Sequence, residues 1–280
     1  MISEVEAQAL LHDRDLIAIG MKGDEVRRRL HGSKTTFVRV FEIHVDAPPS
    51  ALPPRTSAGE FRIVGRPKSV DAAIASIRAA LALAGSIPLT GFSLADLLSL
   101  AGAASLADAC GALHDAGLEA VAEAPIDVLP DPAAAISAAR AAGLQVARLT
   151  VDVLGPDSRV AIPMRARDLQ QAVGEIRAFA PLPRAMSVTA PSTGYDDVKQ
   201  IALARLAADN IESIQVDWAL YGPKLAQFAL TIGADDVDNV SAVDPGTLGT
   251  RRSPLEEIRG NIRSAGLEAV ERNGRYEAMG

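Results

Sequence analysis

The sequence predicts an α/β fold, a full or partial TIM-like (βα) barrel, and three observations carry that prediction. Short β-type runs alternate with segments of helical apolar spacing along most of the chain, as repeated βα units do. The turn Ala-Gly-Leu recurs at Ala116-Gly117-Leu118, Ala142-Gly143-Leu144 and Ala265-Gly266-Leu267, placing a glycine where a helix stops before extended chain. At 280 residues, 48% of them hydrophobic, the chain is long enough to bury one barrel-sized core. A doubly wound open sheet would alternate in the same way. The first βα turn lacks a glycine-rich phosphate fingerprint, which counts against the dinucleotide-binding version.

Taken in order, Glu4 to Leu30 has helical spacing and ends at His31-Gly32, so residues 1–34 read as a helical segment ahead of the barrel. Phe37 to Val45 alternates as a strand, and Asp46 to Gly59, with four prolines, reads as an irregular loop. Phe61 to Gly65 is a short strand, and Ser69 is placed to cap a helix running to Ala84. Further strands are expected at Ile87 to Thr90, Glu119 to Ala122, Gln145 to Val151, Ala185 to Thr189 and Ser213 to Trp218. Helices are expected at Leu94 to Leu100, Leu106 to Ala116, Pro132 to Ala142, Ala166 to Phe179, Asp196 to Ala208 and Pro223 to Ile232. The barrel would occupy 35–240, with 241–280 a C-terminal extension of the same domain.

Composition narrows the function. A formal charge of −7 with no long basic run argues against nucleic acid or an anionic membrane surface as partner. The acidic N-terminus and the lack of a long apolar run lead us to expect a cytoplasmic protein. The single cysteine, Cys110, sits at helical spacing among apolar residues and reads as core. No nucleophile elbow, P-loop or zinc spacing occurs. Glu42, His44 and Asp46 share a strand face but number too few for a metal centre with a stated donor set. No metal is expected.

From about Tyr195 onward a set of segments agrees in order and spacing: Ile201 to Leu206 with Asp209-Asn210-Ile211, Ile214 to Trp218, Gly222 to Gln227, Gly233 to Asp238, and Gly266 to Tyr276. Through them the chain resembles aminofutalosine synthase of menaquinone biosynthesis, a radical S-adenosylmethionine barrel enzyme, and its relatives dehypoxanthine futalosine cyclase and the deazaflavin-forming synthases. Weaker similarity upstream covers Leu30-His31-Gly32, Phe61 to Gly65 and Asp115 to Glu119.

The resemblance implies a barrel of the radical S-adenosylmethionine type. It also implies three cysteines at CxxxCxxC spacing after the first strand, which would hold a [4Fe–4S] cluster. In this chain the first of those positions falls near Pro49, and the stretch Asp46 to Gly59 replaces both the cluster loop and the first crossover helix. The family's Thr-Glu pair becomes Ser93-Leu94, and its Arg after the sixth strand falls at about Thr193. The expectation is a degenerate member with no [4Fe–4S] cluster and no cofactor, with S-adenosylmethionine binding left open. The ligand-binding candidates are Asp127, standing for a family Glu, with Ser93, Trp218, Asp235, Asp236 and Asp238, the three aspartates at or just beyond the last strand, by the barrel mouth. Such a protein would bind a nucleoside-type or S-adenosylmethionine-like ligand, or pair with an intact radical S-adenosylmethionine paralogue or with itself. The alternative is a repurposed barrel enzyme in which Asp127, Asp152 or the Asp235 cluster performs acid–base chemistry.

Overall fold

The computed structural model of the chain describes residues 2–102, 105–185, 193–247, 249 and 253–279. Two helices come first, α1 (Glu4–His12) and α2 (Leu16–His31). The alternating elements follow: β1 (Lys34–His44), β2 (Glu60–Val64), α3 (Val70–Ala84), β3 (Leu89–Ser93), α4 (Leu94–Ala101), α5 (Leu106–Asp115), β4 (Ala120–Pro125) and α6 (Pro132–Ala141). The second half contains β5 (Arg148–Val151), α7 (Ala161–Val173), β6 (Ala178–Pro183), α8 (Gly194–Ala207), β7 (Ser213–Asp217), α9 (Trp218–Ala229) and β8 (Asp236–Ser241), then α10 (Pro254–Ser264) and β9 (Glu268–Glu271).

All strand pairings are parallel, and β1 to β8 run in chain order around a closed ring that ends where β8 meets β1. The predicted TIM-like barrel is therefore a full one. Strand β1 is long enough to serve three neighbours: its C-terminal half pairs with β2 (Val40 opposite Glu60), its middle with β8, and its first turn of chain with β9 (Thr36 opposite Val270). The passage from β1 to β2, residues 45–59, contains no helix, as the proline-rich composition predicts.

The strands' alternation sorts the core. On β2, Phe61 and Ile63 join the apolar layer that includes Ala73, Ile77 and Ala80 of α3, while Glu60 and Arg62 take the intervening positions and point into the barrel. Helix α2 lies on α8 and on the turn before β8 at close range: a Cβ at Gly23 would collide with the Ile232 carbonyl.

Two elements differ from the sequence expectation. The sixth strand is Ala178–Pro183, part of which the helical pattern assigns to the preceding helix, and that helix stops at Val173. Its Pro181 and Pro183 argue against a central strand by rule, because proline cannot donate to the ladder. Here the recorded pairings of β6 use Ala178 and Phe179 on both sides, with Pro183 reached only after a register shift, so the prolines fall past the regular ladder. The expected strand at Ala185 to Thr189 lies, but for Ala185, outside the described residues. No single helix among the described residues is long and apolar enough to cross a membrane.

Candidate functional site

The barrel interior is polar from floor to mouth. At the floor end Asp236, the first residue of β8, accepts from both Nε and Nη2 of Arg272 at 2.7 Å, from Gln215 Nε2 at 2.6 Å and from Thr36 Oγ1 at 2.5 Å. One layer up, Asp238 (1% exposed) accepts a two-pronged bond from Arg62 at 2.9 and 2.8 Å and a further bond from Arg148. Burial opposes its charge, but Arg148 and Arg62 outweigh burial and hold its carboxyl well below the usual range. Glu60 completes the set by accepting from Arg62 and Thr90.

This placement corrects the expectation for the three aspartates. Rather than ending the last strand, Asp236 and Asp238 lie within β8, at its start and middle, and both are committed to arginines. Asp235 precedes the strand and lies among the helices, where it accepts from Arg205 and the Ile214 amide and faces His31 at 3.3 Å. Burial, only partly offset by Arg205, raises its carboxyl.

The C-terminal ends of the strands form the other end. Arg184, just after β6, reaches Glu123 of β4 at 2.8 Å and lies 3.5 Å from Asp217 Oδ2 at the end of β7. Asp217 is 5% exposed and caps α9 through Oδ1, which accepts from the Leu220 amide, whereas its Oδ2 accepts no hydrogen bond. Burial and then the nearby Asp238 charge raise this carboxyl above the ordinary value. Asp152, after β5, is raised as well, by burial first and then by Asp127 and Glu123. Two strand-end residues, Phe92 (φ 62) and Asn239 (φ 59), hold the left-handed backbone conformation, which carries strain in residues other than glycine; Asn239 donates to Glu42.

The remaining sequence candidates distribute as follows. Ser93 ends β3 and lines a mouth cleft of about 130 Å³ with Arg62, Arg66, Asp96 and Glu123. Asp127 accepts from the Asp152 and Val153 amides at 2.9 and 2.8 Å, so it ties the loop after β4 to the loop after β5. Trp218 opens α9, half-buried and packed on the core. Thr193 caps α8 in a reciprocal pair with Asp196. Glu42, His44 and Asp46 do not converge: Glu42 faces Asn239, and Asp46 meets Lys68 at 3.2 Å.

Sequence reasoning missed Arg62, Glu123, Arg148, Arg184 and Asp217. For two of them the signal was present, because charged side chains at alternate positions between apolar ones, Arg62 between Phe61 and Ile63 and Asp217 after Val216, mark inward positions of a polar barrel.

Comparison with known proteins finds relatives for part of the chain and likeness of fold for the whole. The sequence model of the CofH/MqnC C-terminal region matches residues 179–280. The aminodeoxyfutalosine synthase of Streptomyces coelicolor is 34% identical over 146 residues, covering 44% of this chain and 38% of that protein. The 5-amino-6-(D-ribitylamino)uracil–L-tyrosine 4-hydroxyphenyl transferase of Archaeoglobus fulgidus is 34% identical over 126 residues, 40% of this chain and 36% of that protein. The cyclic dehypoxanthine futalosine synthase of S. coelicolor is 28% identical over 200 residues, 62% of this chain and 50% of that protein. The matches thus span half or less of these relatives. Methylornithine synthase (PylB) superposes with a TM-score of 0.64 at 12% identity over 96% of this chain and 94% of its own, and the hydrogenase maturase HydG with 0.65 at 14% over 96% and 72%, which establishes likeness of fold.

These matches overturn the expectation of a chain with no [4Fe–4S] cluster and no cofactor, because the relatives and structural neighbours are radical S-adenosylmethionine enzymes, which bind both the cluster and S-adenosylmethionine. The residues present do not fit a three-thiolate cluster loop: the single cysteine, Cys110, is buried in α5 and burial pushes its thiol up to about 11. No chemical step is therefore routed through the cluster.

Proposed function

We propose that the chain is a radical S-adenosylmethionine-type barrel protein that binds a nucleoside-type or S-adenosylmethionine-like ligand at the barrel mouth, within the futalosine route of menaquinone biosynthesis. The observation that carries the reading is Oδ2 of Asp217, buried at the strand ends with no hydrogen-bond donor and only a 3.5 Å ion pair to Arg184, which also pairs with Glu123. A buried acceptor without a donor costs about 1–3 kcal/mol. A ribose hydroxyl supplies such a donor, and Trp218, next in sequence, offers an aromatic face for a base. Pairing with an intact paralogue or with a second copy of the chain belongs to the same proposal, as the means by which a binding barrel would act on the pathway.

Titration calorimetry of the purified chain with adenosine and with S-adenosylmethionine tests this. Saturable binding is expected with at least one of them, weakened tenfold or more, about 1.4 kcal/mol, by Arg184→Met or Glu123→Gln. Absence of heat from either ligand at millimolar concentration refutes it.

The raised carboxyls of Asp152 and Asp217 favour a second reading, an enzyme that moves protons by acid–base chemistry at the same mouth. Under that reading Asp152→Asn removes turnover of a bound nucleoside and leaves its affinity unchanged; a parallel loss of affinity supports binding alone.

A further inference from the structure

A second cavity, of about 650 Å³, opens at the opposite end of the barrel, between the N-terminal ends of β3 to β6 and the C-terminal tail. That volume is in the range of small-molecule sites. Its inner walls, Thr90, Ala120, Ala147, Gly274 and Tyr276, also bound a recess of about 20 Å³ lined by Glu60, Arg62 and Arg148, with room for one water-sized group.

One residue of the recess wall, Arg148, carries an unused donor. Arg148 is 5% exposed; its Nε donates to the Ala122 carbonyl at 2.8 Å and its Nη1 to Gln215 and Asp238, while its Nη2 has no partner. Charge in this layer is already matched, with Arg62, Arg148 and Arg272 opposite Glu60, Asp236 and Asp238. An added anion would meet Glu60 and Asp238 in a buried interior and would cost more than it returned. A neutral acceptor meets the need of Nη2 without that cost. Tyr276 forms the flat side of the cavity: its backbone is held at φ 64, and its ring lies 4.2 Å from the guanidinium carbon of Arg272.

The geometry points to a second ligand site at the barrel floor for a flat, uncharged molecule bearing a carbonyl, whose oxygen accepts from Arg148 Nη2 while its ring lies along Tyr276 and Ala147. The site opens at the other end of the barrel from the mouth cleft, although Arg62 lines both.

Benzamide, with benzoate as its charged counterpart, is the probe. Saturation-transfer NMR and titration of the whole chain are expected to show saturable benzamide binding at least tenfold tighter than that of benzoate. Ala147→Leu, which fills the outer cavity, is expected to weaken benzamide tenfold or more, and so is Gln145→Trp on its exposed rim should the first variant fold poorly. Lys68→Ala, exposed on the mouth side and outside both sites, is expected to leave benzamide affinity within twofold of the parent. Absence of benzamide binding, equal binding of benzoate, or affinity unmoved by a folded cavity-filling variant would each overturn the assignment.

Discussion

The two ends of this barrel treat the same chemical group in opposite ways. Toward the floor, the carboxylates of Asp236 and Asp238 accept at nearly every lone pair and face arginines, so charge is stabilised. At the mouth, Asp217 keeps one oxygen without a donor and Asp152 lies among other acids, so charge is penalised. Buried polar groups that are fully satisfied fix a structure, whereas those left short of partners mark places where a ligand or a proton completes the set. The difference teaches that an aspartate-rich segment says little until its partners are known, because Asp238 and Asp217 are both buried strand residues.

The largest test of this contrast is Asp238→Ala. It strands Arg62 and Arg148 in the interior, and removing one partner of a buried pair costs about 3–5 kcal/mol. Urea unfolding should show that loss, and a loss under about 1 kcal/mol would remove the floor's structural role. Acidity should separate the ends further. Because the Asp238 carboxyl is held below its ordinary value of 3.8, its contribution is present above that pH and is lost as pH falls below it. The Asp217 carboxyl is raised, so folding takes up protons there and the penalty of its charge is absent below 3.8 and grows as pH rises through the raised value. Asp217→Asn should accordingly stabilise the chain at pH 7, by about 1 kcal/mol, an ordinary single-substitution effect, because the buried charge it removes outweighs the 3.5 Å ion pair with Arg184 that it gives up, with the gain vanishing near pH 3.5. Melting curves at the two pH values check the sign. The smallest effect is expected from Ser93→Ala, within about 0.5 kcal/mol, because Ser93 precedes α4 but makes no side-chain capping bond; thermal melting alone suffices to measure it.

Much of this architecture was legible in the sequence because periodicity reports burial. The alternation in β2 and the helical spacing of α3 to α6 follow directly from which residues face the apolar layer. Strand β6 was not legible, since Pro181 and Pro183 carry the mark of chain breaks and only the neighbouring strands show that the regular ladder uses Ala178 and Phe179, with Pro183 reached after a register shift. The site was less visible than the fold. Asp235, Asp236 and Asp238 could be singled out by type, but their depth depends on Arg205, Arg272, Arg62 and Arg148, which come from four other parts of the chain. Arg184 stands out only once Glu123 and Asp217 are brought beside it, a contact spanning three strands.

The ring closes through β1, and that has a consequence for how the molecule is made. Thr36 meets Asp236 across 200 residues and Arg39 meets Glu271 across 232, so a strand that leaves the ribosome early waits for partners that leave late. Until then the flanks of β1 present unpaired backbone, and pairings of such long range form slowly. The growing chain therefore keeps those edges open until β8 and β9 arrive, and these two strands act as the clasp that ends the exposure.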